Sequence, residues 1–155
     1  MVTPLNPDLW LPRACAWAEH QERRSFEAGR PLGHRELGLA RRVGVSKPER
    51  IRIHRVDTFP RPTDPQLREV ADHMGFFSPG MLGLTLHYAV LIADGHVDDE
   101  RLLRHEFRHV YQYETAGSTV AFLEEYFAQL LDVGYRDAPL EIDARRHEVA
   151  DHVRP

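Results

Sequence analysis

The sequence is poor in cysteine, in lysine and in long apolar runs, and each shortage excludes something. Cys15 is the one cysteine in 155 residues, so neither a disulfide within the chain nor a cysteine-ligated zinc cluster can form. Lys47 is the one lysine among 20 basic residues; arginine supplies the rest. Neither sign of charge dominates, and the formal net charge is −4 at pH 7. A nucleic-acid-binding chain is ordinarily basic on one face, so a nucleic-acid partner is not expected. The most apolar stretch, Met81 to Ala93, carries His87 in its middle and falls well short of the about 20 residues that cross a bilayer. Met1 to Trp10 lacks the basic start and apolar core of a secretory signal. The expectation is a cytoplasmic protein with no membrane contact. Internal repeats, low-complexity tracts and domain-dividing linkers are also missing.

What is present is ordinary for a folded chain: 42% hydrophobic and 28% charged residues, the charges mixed rather than blocked. The length corresponds to one domain, large enough to bury roughly two-thirds of its unfolded surface. Ten histidines are the first functional signal.

Residues 7 to 29 read as a first helix, stopped by Gly29-Arg-Pro31, and residues 34 to 42 as a second. The run Arg50-Ile-Arg-Ile-His-Arg-Val56 alternates with the period of a strand. A third helix follows from Asp64 or Pro65 to Met74. Residues 82 to 92, rich in Leu, Val, Ile, Thr and Tyr, read as one long second strand. Asp98 or Asp99 caps a helix over residues 100 to 115. Another covers 120 to 133, Gly134 and Pro139 bracket a loop, and a last helix runs from Leu140 to His152. The fold class is α+β, mostly helical with a small sheet. Residues 1–50 form a helical region, and residues 51–155 hold the sheet and the two helices that matter most.

The chemistry sits in the helix over 100–115. His105-Glu106-Phe107-Arg108-His109 is an H-E-x-x-H sequence. Histidines four apart share one helix face, so both imidazoles can bind one zinc ion at about 2.0–2.1 Å. Glu106 points about 100° away around the helix, beside the metal rather than on it. Its carboxylate can take a proton from water whose pKa zinc lowers from about 15.7 toward 7. Leu102, Leu103, Phe107 and Val110 bury this helix from several sides, which argues against a solvated histidine pair. A third ligand has to come from further along. Gln112 and Thr115 occupy the places where the extended H-E-x-x-H-x-x-G-x-x-H pattern has its glycine and last histidine. The candidates are Glu141, Asp143, His147, Glu148, Asp151 and His152.

From about Leu82 to Arg146 the chain resembles the zincin metallopeptidases, in particular the gluzincin branch, and small bacterial zincin-like domains. In that branch a later helix supplies a glutamate within an E-x-x-A-D sequence. Here Pro139-Leu-Glu141-Ile-Asp-Ala144-Arg145 matches at Glu141 and Ala144 and departs at Arg145, where the family has an aspartate that orients a histidine ligand. Asp143 is a substitute for it, and Glu148-Val-Ala-Asp151 is a competing match, one residue too short. The resemblance implies zinc held by His105, His109 and Glu141, with Glu106 as general base. It also implies an edge strand over 83–92 along the cleft, where Thr85 and His87 meet an extended peptide. Oxyanion stabilisation falls to one of Tyr111, Tyr135, Arg136, Arg145 and His147; Tyr135 and Arg136 stand in the loop before Glu141 and are the better placed. The activity so implied is a zinc-dependent hydrolase, in the first place a metallopeptidase acting on a peptide or protein. The alternative is a zincin-like module without useful hydrolysis that binds a peptide or protein partner. Manganese, iron or cobalt also suit two imidazoles and a carboxylate.

Overall fold

The computed structural model describes residues 6–150. It is α+β: six α-helices and a four-stranded mixed sheet among the described residues. After a short turn at Pro7–Leu9 come α1 (Leu11–Ala28), β1 (Arg30–Pro31), α2 (His34–Arg42), β2 (Arg52–Val56), α3 (Pro65–His73), β3 (Gly83–Leu86), β4 (Ala89–Ala93), α4 (Glu100–Ala116), α5 (Thr119–Asp137) and α6 (Pro139–Arg146). No helix of the described residues is long and apolar enough to cross a membrane.

The sheet runs in the order β1-β2-β4-β3. β4 is parallel to β2, with Ile53 opposite Val90, and antiparallel to β3, with Thr85 opposite Val90 on its other side. The parallel pairing explains the apolar run of β4, since such a strand is covered on both faces. Val90 and Ile92 pack with Ile51, Ile53, Leu103, Phe107 and Val110, on the side of α2 and α4. Ala89 and Leu91 pack with Ala18, Tyr113, Phe122 and Leu123, on the side of α1 and α5.

Residues 82 to 92 are not one strand. They form a hairpin that turns at His87 and Tyr88, and the short edge strand β3, rather than one long strand, flanks α4. His87 takes a left-handed backbone, φ 57°, uncommon outside glycine, though His, Asn and Asp adopt it more often than other residues. Its ring lies stacked on Tyr88 at 4.8 Å and on Tyr113 at 5.2 Å, and this packing holds the turn. β1, two residues long, is a strand where the sequence suggested only a helix stop.

Four helix ends place the functional side chains. Asp99 starts α4 by accepting from the Leu102 N–H at 3.1 Å, and Gly117 ends it at φ 96°. Gly134, at φ 82°, breaks the last turn away from α5, so Tyr135 leaves the helix axis. The last helix ends at Arg146 instead of His152: His147 Nδ1–H donates back to the Asp143 carbonyl at 2.8 Å, closing the C-terminus. Asp151 and His152 lie outside the described residues.

Candidate metal centre

α4 is buried along most of its length, and it turns two faces to two different jobs. Leu103, Phe107 and Val110 pack against the sheet. His105, Glu106 and His109, all buried, face a cavity on the other side. The imidazoles of His105 and His109 stand edge to face, ring centres 4.9 Å apart.

Glu141, in the first turn of α6, reaches both of them. Its Oε1 is 3.2 Å from His105 Nε2, and its Oε2 is 3.2 Å from His109 Nε2. One ligand atom from each residue can be chosen so that all three lie within 4.8 Å of one another. In a tetrahedral site with ligands at about 2.0 Å, neighbouring donor atoms stand about 3.3 Å apart, close to the 3.2 Å between each histidine Nε2 and its Glu141 oxygen. Glu141 is only 2% exposed, and Tyr126, itself buried, fixes it by donating its O–H to Oε2 at 2.6 Å.

The far side of each ring is anchored as well. His105 Nδ1–H donates to Glu148 Oε2 at 2.8 Å, and Arg101 Nε holds the same carboxylate at 2.8 Å. His109 Nδ1–H donates to Gln112 Oε1 at 2.7 Å. The Gln112 amide cannot turn round, because its Nε2 donates to the Leu140 carbonyl and to Asp143 Oδ2, each at 2.9 Å. Asp143 is in turn gripped by Arg108 at 2.7 Å. With both Nδ1 atoms committed as donors, both Nε2 lone pairs are directed at one point, the arrangement that orients histidine ligands.

Proton accounting shows what a cation would replace at that point. Without one, each Nε2 has to carry a hydrogen to satisfy Glu141, which makes both rings imidazolium. Burial pulls the His109 pKa down, yet the Glu141 carboxylate reverses this and holds it at about 9. His105 ends raised as well: burial lowers it, and its hydrogen bond to Glu141 outweighs that. Burial alone pushes the Glu141 carboxyl up, but His109, His105 and Tyr126 together hold it well below the usual carboxylate range. Two unit charges about 5 Å apart repel by about 3 kcal/mol at an effective dielectric of about 20. A divalent ion carries the same charge at one position and leaves both rings neutral. The buried group His105, His109 and Glu141 can therefore hold a metal ion.

No protein-family model matches the chain, and neither does any curated protein or solved structure.

Glu106 is in the cavity wall but outside the ligand set. Thr85 of β3 donates its hydroxyl to Glu106 Oε1 at 2.7 Å and lies 3.1 Å from the Glu106 carbonyl oxygen. Gly83, also on β3, leaves room for the carboxylate: a Cβ there would stand 2.7 Å from Glu106 Oε2. A displacement of about 1 Å in a catalytic group costs about 10²-fold in rate. If Glu106 acts as a general base, Gly83→Ala lowers turnover by about that factor with metal content unchanged, because the Glu106 side chain shifts while the metal ligands stay. Kinetics beside elemental analysis of the one variant check this.

The other sequence candidates divide. Thr85 and Tyr135 line the same cavity as the ligands. Burial and the charges of Glu141 and Glu106 push the Tyr135 phenol up, so it stays protonated. His87 is not a cleft residue: at the hairpin turn its Nδ1 lies 3.2 Å from Thr119 Oγ1, away from the cavity lining. Tyr111 lies under the Arg108 guanidinium, 3.9 Å from ring centre. Arg145 donates to the Arg136 carbonyl, and neither arginine lines the cavity. Glu148 is a partner of His105 rather than a third ligand, because α6 ends before it. Asp143 acts on His109 only through Gln112.

Sequence reasoning missed Gly83 beside Glu106, Tyr126 on Glu141 and, as the partner of His109, Gln112. The signal for Gln112 was the i, i+3 spacing from His109, which puts the two on one helix face. Partners of this kind are worth about 10–100-fold in metal affinity. Gln112→Leu and Glu148→Leu are each expected to weaken metal binding by about that much, and Arg145→Ala to leave it unchanged. Competition against a chromophoric chelator measures all three.

Proposed function

We propose that the chain is a zinc-dependent hydrolase of zincin type that cleaves amide bonds in peptide or protein substrates. The observation that carries this reading is the position of Glu106: it shares a cavity with His105, His109 and Glu141, holds no place among them, and is fixed by Thr85. A structural metal site would need no such carboxylate, and it would fill its fourth position with protein.

Two imidazoles and a carboxylate with one open side suit zinc. The bound ion supplies Lewis-acid polarisation of the substrate carbonyl and a lowered water pKa, about 7 against about 15.7 in bulk. Glu106 then accepts a proton from the attacking water on the oxygen that Thr85 leaves free, and passes it to the departing amine nitrogen. Tyr135, still carrying its proton, donates to the carbonyl oxygen as charge gathers there. Tyr126 and the outer partners keep the three ligands fixed while this happens. β3 ends the sheet, so an extended substrate adds to it through main-chain hydrogen bonds. The departure at Arg145 does not weaken the reading, since Glu148 and Gln112 take over the orienting of the histidines.

The test is a peptide library incubated with zinc-loaded protein and read by mass spectrometry for new termini. Cleavage that needs zinc and stops with a strong chelator supports the hydrolase. An unchanged library overturns it and leaves a metal-binding module.

A further inference from the structure

The cavity does not end at the metal ligands. It continues between α1, α3 and α5 as an apolar chamber, and the whole space is about 460 Å³. A dry cavity of about 150 Å³ already takes up benzene, so this one has room for clearly more than a phenyl ring. Trp10, Val70 and Phe127 form its far walls, and Ala14 and Ala71 leave the space open by being small. Protein interiors are otherwise packed nearly without voids, and unfilled space forfeits the contacts of its lining. Trp10 is fully buried and its Nε1 has no hydrogen-bond partner among the described residues, so a ligand that reaches it gains by offering an acceptor.

We propose that this chamber is the specificity site of the metal centre and receives an apolar group larger than a phenyl ring, carried by the substrate close to the carbonyl that is attacked. The inference rests on the hydrolase reading for its chemistry, but two of its walls, α1 and α3, carry none of the three ligands. The chamber and the ligand set share one cavity, so a group seated in the chamber places its attached carbonyl before His105, Glu106 and His109. Substrates with only small side chains leave the chamber empty and bind weakly.

Hydroxamates, which grip a metal through a small polar head, separate the two parts. Acetohydroxamate and octanohydroxamate are titrated calorimetrically into zinc-loaded protein, and 1-octanol into metal-free protein with tryptophan emission as the readout. Each buried methylene is worth about fourfold in affinity, so octanohydroxamate is expected to bind at least about 100-fold more tightly than acetohydroxamate. Ala14→Phe and Ala71→Phe fill the chamber from two different helices, and neither residue touches the ligands. In each, the advantage is expected to fall below about tenfold, with acetohydroxamate binding unchanged and the 1-octanol response lost. Two outcomes overturn the proposal while leaving the metal centre intact: near-equal affinity of the two hydroxamates for the unsubstituted protein, or an advantage that survives in both filled variants. If acetohydroxamate fails to bind zinc-loaded protein while 1-octanol still perturbs tryptophan emission in the unsubstituted protein alone, the chamber stands and the metal reading falls.

Discussion

Glu106→Gln is expected to lower turnover by about 10²–10⁴-fold, the usual range for a lost general base, while the protein keeps its metal. The reasons are geometric. Glutamine has the same shape, and its Oε1 can still accept the Thr85 hydroxyl that Glu106 accepts at 2.7 Å. It cannot take a proton from water. Glu106 is not in the group of His105, His109 and Glu141, so no ligand is removed. The variant is assayed for hydrolysis and for zinc in the same preparation. Loss of zinc together with activity would make Glu106 a ligand and contradict the division of roles.

Glu141→Ala removes the centre of the site, and it acts on both metal affinity and stability. The carboxylate faces two imidazoles at 3.2 Å each and accepts the Tyr126 O–H at 2.6 Å. Metal affinity is expected to fall well beyond the about 10–100-fold that an outer partner is worth. The metal-free protein also suffers, because the buried histidines and the Tyr126 hydroxyl lose their common partner. Breaking a buried ion pair from one side costs about 3–5 kcal/mol, which shows as a lowered denaturant midpoint in chelator-treated protein. Chelator competition and denaturant unfolding read the two effects separately. An affinity equal to that of the unsubstituted protein would mean that Glu148, or a residue beyond 150, supplies the third ligand.

The parts of the site that were legible in the sequence are those carried by spacing within one element. His105, Glu106 and His109 lie within one stretch of helix, and the four-residue interval alone puts the histidines together. Glu141 was visible as an acidic residue at the start of the last helix, read from Leu140, and was singled out by the resemblance. Contacts between elements left no such trace. That Thr85 would hold Glu106, and that Gly83 would have to be small, follows from how β3 lies against α4. Glu148 meets His105, and the Gln112 amide is locked by Leu140 and Asp143, only when α6 packs on α4 and stops at Arg146. The hairpin was hidden for a different reason. His87 and Tyr88 carry none of the glycine, asparagine or proline that marks a tight turn, and the apolar residues on either side read as one strand. The chamber is the least legible feature, since it depends on where Ala14, Ala71 and their large neighbours meet across three helices.

The central claim, that His105, His109 and Glu141 hold one metal ion, is tested most directly by elemental mass spectrometry of the purified protein beside His109→Ala, each after zinc loading and dialysis. The account predicts about one zinc per chain in the first and none in the second, as a site of two histidines and one carboxylate requires. Zinc absent from both, or equal in both, would contradict it.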